Sequence, residues 1–258
     1  MSAYRPNVEQ MIQMGFFAKI RLALAAMVAL SKNIVDPWGQ QAFQWAMDGW
    51  GIGRVARRAR NHPGGQQLLA ERPMLQLDLA RYETMPEGSL GRFLAEWFRT
   101  WGVAPFLPRR TPDGELEYFV DRLFFTHDVW HALVGLGTDL RNELRFLGVL
   151  LSQYSSGSAV MALAFGWWKV PAQYGWRAFF AMPLEVWRFY RWGCAGKDLC
   201  FIRWEDYLEL PVEAIRAEFL AANRPEIGEC KGWPTARIDL PPQVRPPRPV
   251  EELAPSHS

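Results

Sequence analysis

Apolar residues recur every three or four positions over most of the chain, and alternation with period two is nearly absent. Between residues 8 and 33 the row Met11, Ile12, Phe16, Ile20, Leu24, Met27, Val28 predicts an amphipathic helix, made cationic on its other side by Lys19, Arg21 and Lys32. Such a helix either packs on a core or lies in a membrane surface. Asp36-Pro37 opens a helix of about ten residues. A basic run follows, Arg54, Arg57, Arg58 and Arg60, read as a solvated face or as a patch for phosphate or lipid head groups. Asn61-His62-Pro63-Gly64-Gly65 interrupts the chain, and short helices are expected over 66–71 and 74–81.

Ser89 caps an amphipathic row of Leu90, Phe93, Leu94, Trp97 and Phe98. Residues 105–114 form a loop. A long helix runs from Glu117 to Val134, where Gly135 and Gly137 supply stop chemistry. Thr138 or Asp139 caps the next helix, 139–154, and Ser155-Ser156-Gly157-Ser158 breaks it from two aromatic-rich helices over 159–169 and 176–193. A last helix spans 205–223, with Pro211 near the start of its regular part, and only 199–203 carries a strand-like alternation. The fold class is therefore mainly α: a single multi-helix domain over residues 1–231, then a Pro-rich tail, 232–258, expected to hold no fixed structure.

Composition narrows the function. With 49% hydrophobic residues, the 258-residue chain can bury a sizeable core. A net charge of +2 argues against a nucleic-acid binder, whose footprint would be far more basic. Cys194, Cys200 and Cys230 are odd in number and wrongly spaced for a zinc ribbon, so they read as reduced thiols in an intracellular setting. Neither a signal peptide nor an uncharged apolar run of about 18 residues is visible, which leads to the expectation of a cytoplasmic protein that does not cross a bilayer. The 13 Trp suit apolar pockets or membrane surfaces.

The informative anomaly lies at 120–147. His127 and His131, four apart, fall inside the apolar row Val120, Leu123, Phe124, Trp130, Val134, with Asp128 beside them. Glu143 falls inside the next row, Leu140, Leu144, Leu147, Leu151. A carboxylate on an apolar stripe is costly unless it is paired or bound to a cation. Four such groups converging from neighbouring helices would hold a divalent metal facing inward: Zn²⁺, or less commonly Fe²⁺ or Mn²⁺. The alternative is a satisfied core histidine bonded to Asp128. The pattern is not that of a zincin, since Asp follows the first histidine. Nor do His62 and His257 complete the scattered ligand set of an HD-type phosphohydrolase.

His127-Asp128-x-x-His131, then eleven residues, then Glu143 resembles the signature of the coenzyme Q biosynthesis protein 4 family. Arg122, Gly135, Thr138 and Gln153 stand at that family's spacings. Leu-Ala-Glu-Arg-Pro (69–73), Pro-Glu-Gly-Ser-Leu-Gly (86–91), and Trp204-Glu205 with Pro211, Val212, Arg216 and Glu218 are similar to its flanking runs. The likeness covers residues 20–222; Asn142, Gly137 and the Trp-rich segment 155–201 depart from the pattern.

The resemblance implies a helical ubiquinone biosynthesis protein, dimeric, with a divalent metal and an apolar channel for a prenyl tail. It would lie peripherally on the inner membrane and meet a prenylated aromatic precursor and other quinone-pathway enzymes. One implied role is replacement of the ring's C1 carboxyl by a hydroxyl. Asp128 or Glu143 would then be the base, while Arg122 and Gln153 would steady the ligands from behind. The other role is a non-catalytic scaffold that holds the lipid. Phe165, Trp168, Phe179 and Trp187 are the expected lipid contacts, in a channel or on a membrane-facing surface; an ordinary core is the alternative.

Overall fold

A computed structural model describes residues 14–32, 37–102 and 114–225. The tail from 232 and residues 8–13 of the first expected helix lie outside this range. Nine α-helices are found among the described residues: α1 (Phe16–Lys32), α2 (Pro37–Ala59), α3 (Pro63–Glu71), α4 (Leu79–Glu83), α5 (Leu90–Trp101), α6 (Glu115–Val134), α7 (Leu140–Gln153), α8 (Gly157–Ala195) and α9 (Val212–Phe219). Two single-turn 3-10 helices, Leu199–Phe201 and Trp204–Tyr207, precede α9. Among the described residues there is no strand, only an isolated bridge between Ser89 and Pro211. The alternating stretch 199–203 becomes a tight turn because the Asp198 carboxylate accepts the Cys200 amide.

Helix ends follow local chemistry. Ser89 accepts the Arg92 amide, Asp78 the Arg81 amide, and Asp139 the Arg141 and Asn142 amides. The expected helix over 74–81 is therefore displaced to start after Asp78, and the residues before it form no regular element, with Leu75 and Leu77 buried. The C-terminal helix is likewise shortened to α9 behind Pro211.

Helix α2 is twice the expected length, and Gly51 within it serves a close approach. A side chain at Gly51 would collide with the Ser155 carbonyl, so the glycine lets the α7–α8 junction sit directly on α2. The basic run on its last turns is held by ion pairs, Arg58 with Asp198 and Arg60 with Glu115. The junction also carries a fully buried Asp48, whose carboxylate accepts Ser156 Oγ at 3.0 Å, Ser158 N at 2.8 Å and Ser158 Oγ at 2.6 Å. Burial raises the Asp48 pKa from its ordinary value, and the serine bonds only partly oppose this.

A group whose folded pKa is raised takes up its proton more readily in the native state. The native state therefore gains stability as pH falls through that raised pKa, down to the unfolded value of 3.8. Asp48→Asn is expected to remove this gain. Urea midpoints of wild type and variant compared at neutral and mildly acid pH check it; parallel pH profiles would refute the assignment.

Helix α8 is two arms joined at Gly175, whose φ of 80° lies in the region that side chains disfavour. Twelve residues of straight helix would span about 18 Å. Instead the Trp167 indole stacks on Phe179 at 4.8 Å and donates to its carbonyl at 2.8 Å. The arms pack on α7 through Leu144, Val170, Ala178, Met182 and Val186. Most of the remaining core gathers around α5, α6 and the 3-10 turns. No helix among the described residues is long and apolar enough to cross a membrane.

Candidate metal centre

The site is made by the turn between α6 and α7. Gly135 closes α6 with φ 72°, and Trp97 Nε1 donates to the Leu136 carbonyl at 3.1 Å, pinning the connector. A side chain at Gly137 would meet the Trp101 indole, so the glycine lets the connector pass against α5. The last carbonyls of α6 are capped from outside. Arg216 donates to Leu133 O at 2.8 Å and Ala132 O at 3.0 Å, and Arg224 to Val134 O at 2.8 Å. Burial lowers the pKa of both guanidinium groups. They fix the helix end that carries His131.

Within this frame His127, His131 and Glu143 each present a ligand atom within 4.8 Å of the others, the one such cluster of three found among the described residues. His131 is fully buried, and neither ring nitrogen has a hydrogen-bond partner. Its Nε2 lies 3.6 Å from Glu143 Oε2. Two buried nitrogens without hydrogen-bond partners are unfavourable unless something binds them. The donor set, two imidazoles and a carboxylate, suits a divalent cation. Glu143 sits in the first turn of α7.

Asp128 stands one step outside the triangle: its Oδ1 is 3.1 Å from His127 Nδ1. Desolvation is the largest single influence on His127 and lowers its pKa. The Asp128 hydrogen bond, with the charges of Asp128 and Glu143, outweighs it and leaves the pKa raised. A carboxylate on Nδ1 fixes the tautomer and leaves Nε2 for an ion.

The rings are held by aromatic packing. Phe146 stacks on His131 at 3.6 Å and meets His127 edge-on at 4.8 Å, and Trp97 lies 6.0 Å from His131. Sequence reasoning missed Phe146 and Trp97, although Phe146 stands three after Glu143 and so could face the same way. It also missed Glu185. This residue accepts Arg141 at 2.6 and 3.0 Å and Arg145 at 2.9 Å, and so locks α7 to α8.

The expected supporting residues lie apart from the cluster. Arg122 is buried and bonds Glu205, Pro73 and Ile202. Gln153 is buried at the far end of α7, bonding Ser152, Gly193 and Leu199. Of the expected lipid contacts, Phe179 is half-buried against Trp167, and Phe165, Trp168 and Trp187 are exposed on α8.

Comparison with known proteins adds to this geometry. Residues 11–225 match the family described as coenzyme Q (ubiquinone) biosynthesis protein Coq4. A ubiquinone biosynthesis protein coq4, mitochondrial, of Aspergillus fumigatus is 32% identical over 191 residues, 70% of this chain and 64% of that protein. The corresponding protein of Coprinopsis cinerea is 27% identical over 236 residues, 87% of this chain and 78% of its own. The chain thus spans 64% of the length of the first of these curated relatives. A crystal structure of a proposed ubiquinone biosynthesis protein from Nostoc punctiforme is 22% identical with a TM-score of 0.64, covering 80% of this chain and 97% of that one, a likeness of fold.

Proposed function

This chain belongs to the coenzyme Q (ubiquinone) biosynthesis protein Coq4 family, and from that premise we propose that it acts in ubiquinone biosynthesis. Its reaction is the replacement of the C1 carboxyl of a prenylated 4-hydroxybenzoate-derived ring by a hydroxyl. The observation that carries the reading is the buried, unpartnered His131 facing Glu143 and His127.

His127, His131 and Glu143 would hold the metal, zinc or iron. A bound divalent ion supplies Lewis-acid stabilisation to carboxylate or phenolate oxygens. With three protein ligands such an ion would keep a position for substrate, as catalytic rather than structural sites do, which favours the enzyme over the scaffold. Asp128, partly exposed and outside this ligand set, is the group placed to hold a proton at the reacting ring. Phe146 and Trp97 exclude water behind the histidines. Exchange of carboxyl for hydroxyl is a two-electron oxidation. Zinc is redox-inert, so the reading requires an iron centre with dioxygen, or a partner oxidant. The same reading includes a dimer working at the inner-membrane surface, where the prenylated substrate partitions.

Deleting the gene in its host and profiling quinone intermediates by mass spectrometry tests this. A prenylated aromatic acid that keeps its carboxyl should accumulate, cleared by wild type and not by Glu143→Ala. Loss of the early acid together with all later species, restored by Glu143→Ala, would instead favour the scaffold.

A further inference from the structure

Helix α8 shows two faces. One packs on α7 through Val170, Ala178, Met182 and Val186. The other exposes Trp168 (72%), Trp176 (64%), Phe180 (73%), Leu184 (52%) and Trp187 (52%). On the second arm, Trp176, Phe180, Leu184, Trp187 and Arg191 follow one another at steps of three or four, so they share one stripe. Exposed apolar groups in a contiguous stripe mark a contact surface.

Its charge decides what the surface contacts. Residues 157–195 carry Lys169, Arg177, Arg188 and Arg191 against a single acid, Glu185. Glu185 is consumed by Arg141 and Arg145 on the packed side. All four cations are exposed, and Arg191 lies over the Trp187 ring at 5.8 Å. A second copy meeting this face about a two-fold axis would set cations against cations. Indole and guanidinium side chains together suit the head-group layer of a bilayer, with rings in the apolar boundary and charges on phosphate.

We propose that this face of α8 is the docking surface for an anionic phospholipid membrane, holding the chain on the bilayer without spanning it. The proposal deepens the membrane-surface part of the reading above and rests on it. It is independent of the metal chemistry.

Flotation of the full chain with vesicles of phosphatidylcholine alone, or of phosphatidylcholine and phosphatidylglycerol in equal parts, tests it. The protein should float with the anionic vesicles, stay behind with the neutral ones, and be released by salt. At about fivefold per charge, Arg177→Gln/Arg188→Gln/Arg191→Gln should weaken partitioning on the order of a hundredfold. Trp176→Ser/Phe180→Ser should abolish flotation. Because these side chains are exposed, unchanged thermal unfolding should show that both variants fold. Glu143→Ala should float as wild type, so failure of the metal reading leaves this result standing, and the reverse.

Variants that float like wild type, or equal binding to neutral vesicles, would overturn the proposal. So would variants that dissociate a dimer in sedimentation yet leave flotation intact, which would give the face to a second copy.

Discussion

His131→Leu is expected to leave the metal-free protein at least as stable as wild type while abolishing its stoichiometric metal. A buried polar side chain without a partner costs about 1–3 kcal/mol, and the His131 imidazole, with neither nitrogen hydrogen-bonded, is in that position. Leucine removes that cost. It forfeits the stack on Phe146, worth about 0.5–1.5 kcal/mol beyond area, so the balance is between neutrality and a gain of about 2 kcal/mol. Metal affinity moves the other way. Outer partners of a metal site are worth about 10–100-fold, and loss of a ligand costs more. The checks are urea unfolding of chelator-treated protein and metal content after dialysis. If the substitution destabilised the metal-free chain by several kcal/mol, His131 would be an ordinary satisfied core residue. If the variant kept its metal, His131 would not be a ligand.

The opposed signs also explain why the site is legible in the sequence. A histidine pair and a carboxylate on apolar stripes violate the packing rule locally, and that violation is visible in one dimension. The helices that carry them follow from Asp139, Gly135 and the apolar rows, so both helices and their caps can be read directly. Supporting contacts cannot. Arg122 stands at the family's spacing from His127, yet its partners, Pro73 and Glu205, are 49 and 83 residues away in sequence. Gln153 is tied to Gly193, 40 residues on. Sequence periodicity assigns a face, not the neighbour that covers it.

The same limit applies to α8. The pattern marks Trp168 and Trp187 as apolar contacts, whereas their exposure depends on which face α7 occupies. Gly51 of α2 shows the same limit: its close approach to Ser155 is a long-range contact that periodicity does not reveal.

Arg122→Met is expected to destabilise the protein by about 3–5 kcal/mol, a large part of the roughly 5–15 kcal/mol that holds a domain together. The buried guanidinium donates to Pro73 O at 2.8 Å, Ile202 O at 2.8 Å and the Glu205 carboxylate at 2.9 and 3.0 Å. It thereby joins the irregular segment before α4, helix α6 and the turn before α9. Without it, the Ile202 carbonyl loses this donor, Pro73 O keeps only the Tyr118 hydroxyl at 3.2 Å, and Glu205 is left as an uncompensated charge beside Tyr118, whose own hydroxyl burial has already pushed up to about 12. Adding Glu205→Leu to Arg122→Met should recover much of the loss, because removing both charges avoids the orphan. The folded fraction of Arg122→Met should bind metal as wild type does, since none of those four bonds reaches the His127–His131–Glu143 cluster. Paired urea titrations and metal-competition binding decide it. Weakened metal affinity with unchanged stability would return Arg122 to the role of steadying the ligands. Large destabilisation with intact metal binding would make it the tie that keeps α6, and with it both histidines, in register with the rest of the fold.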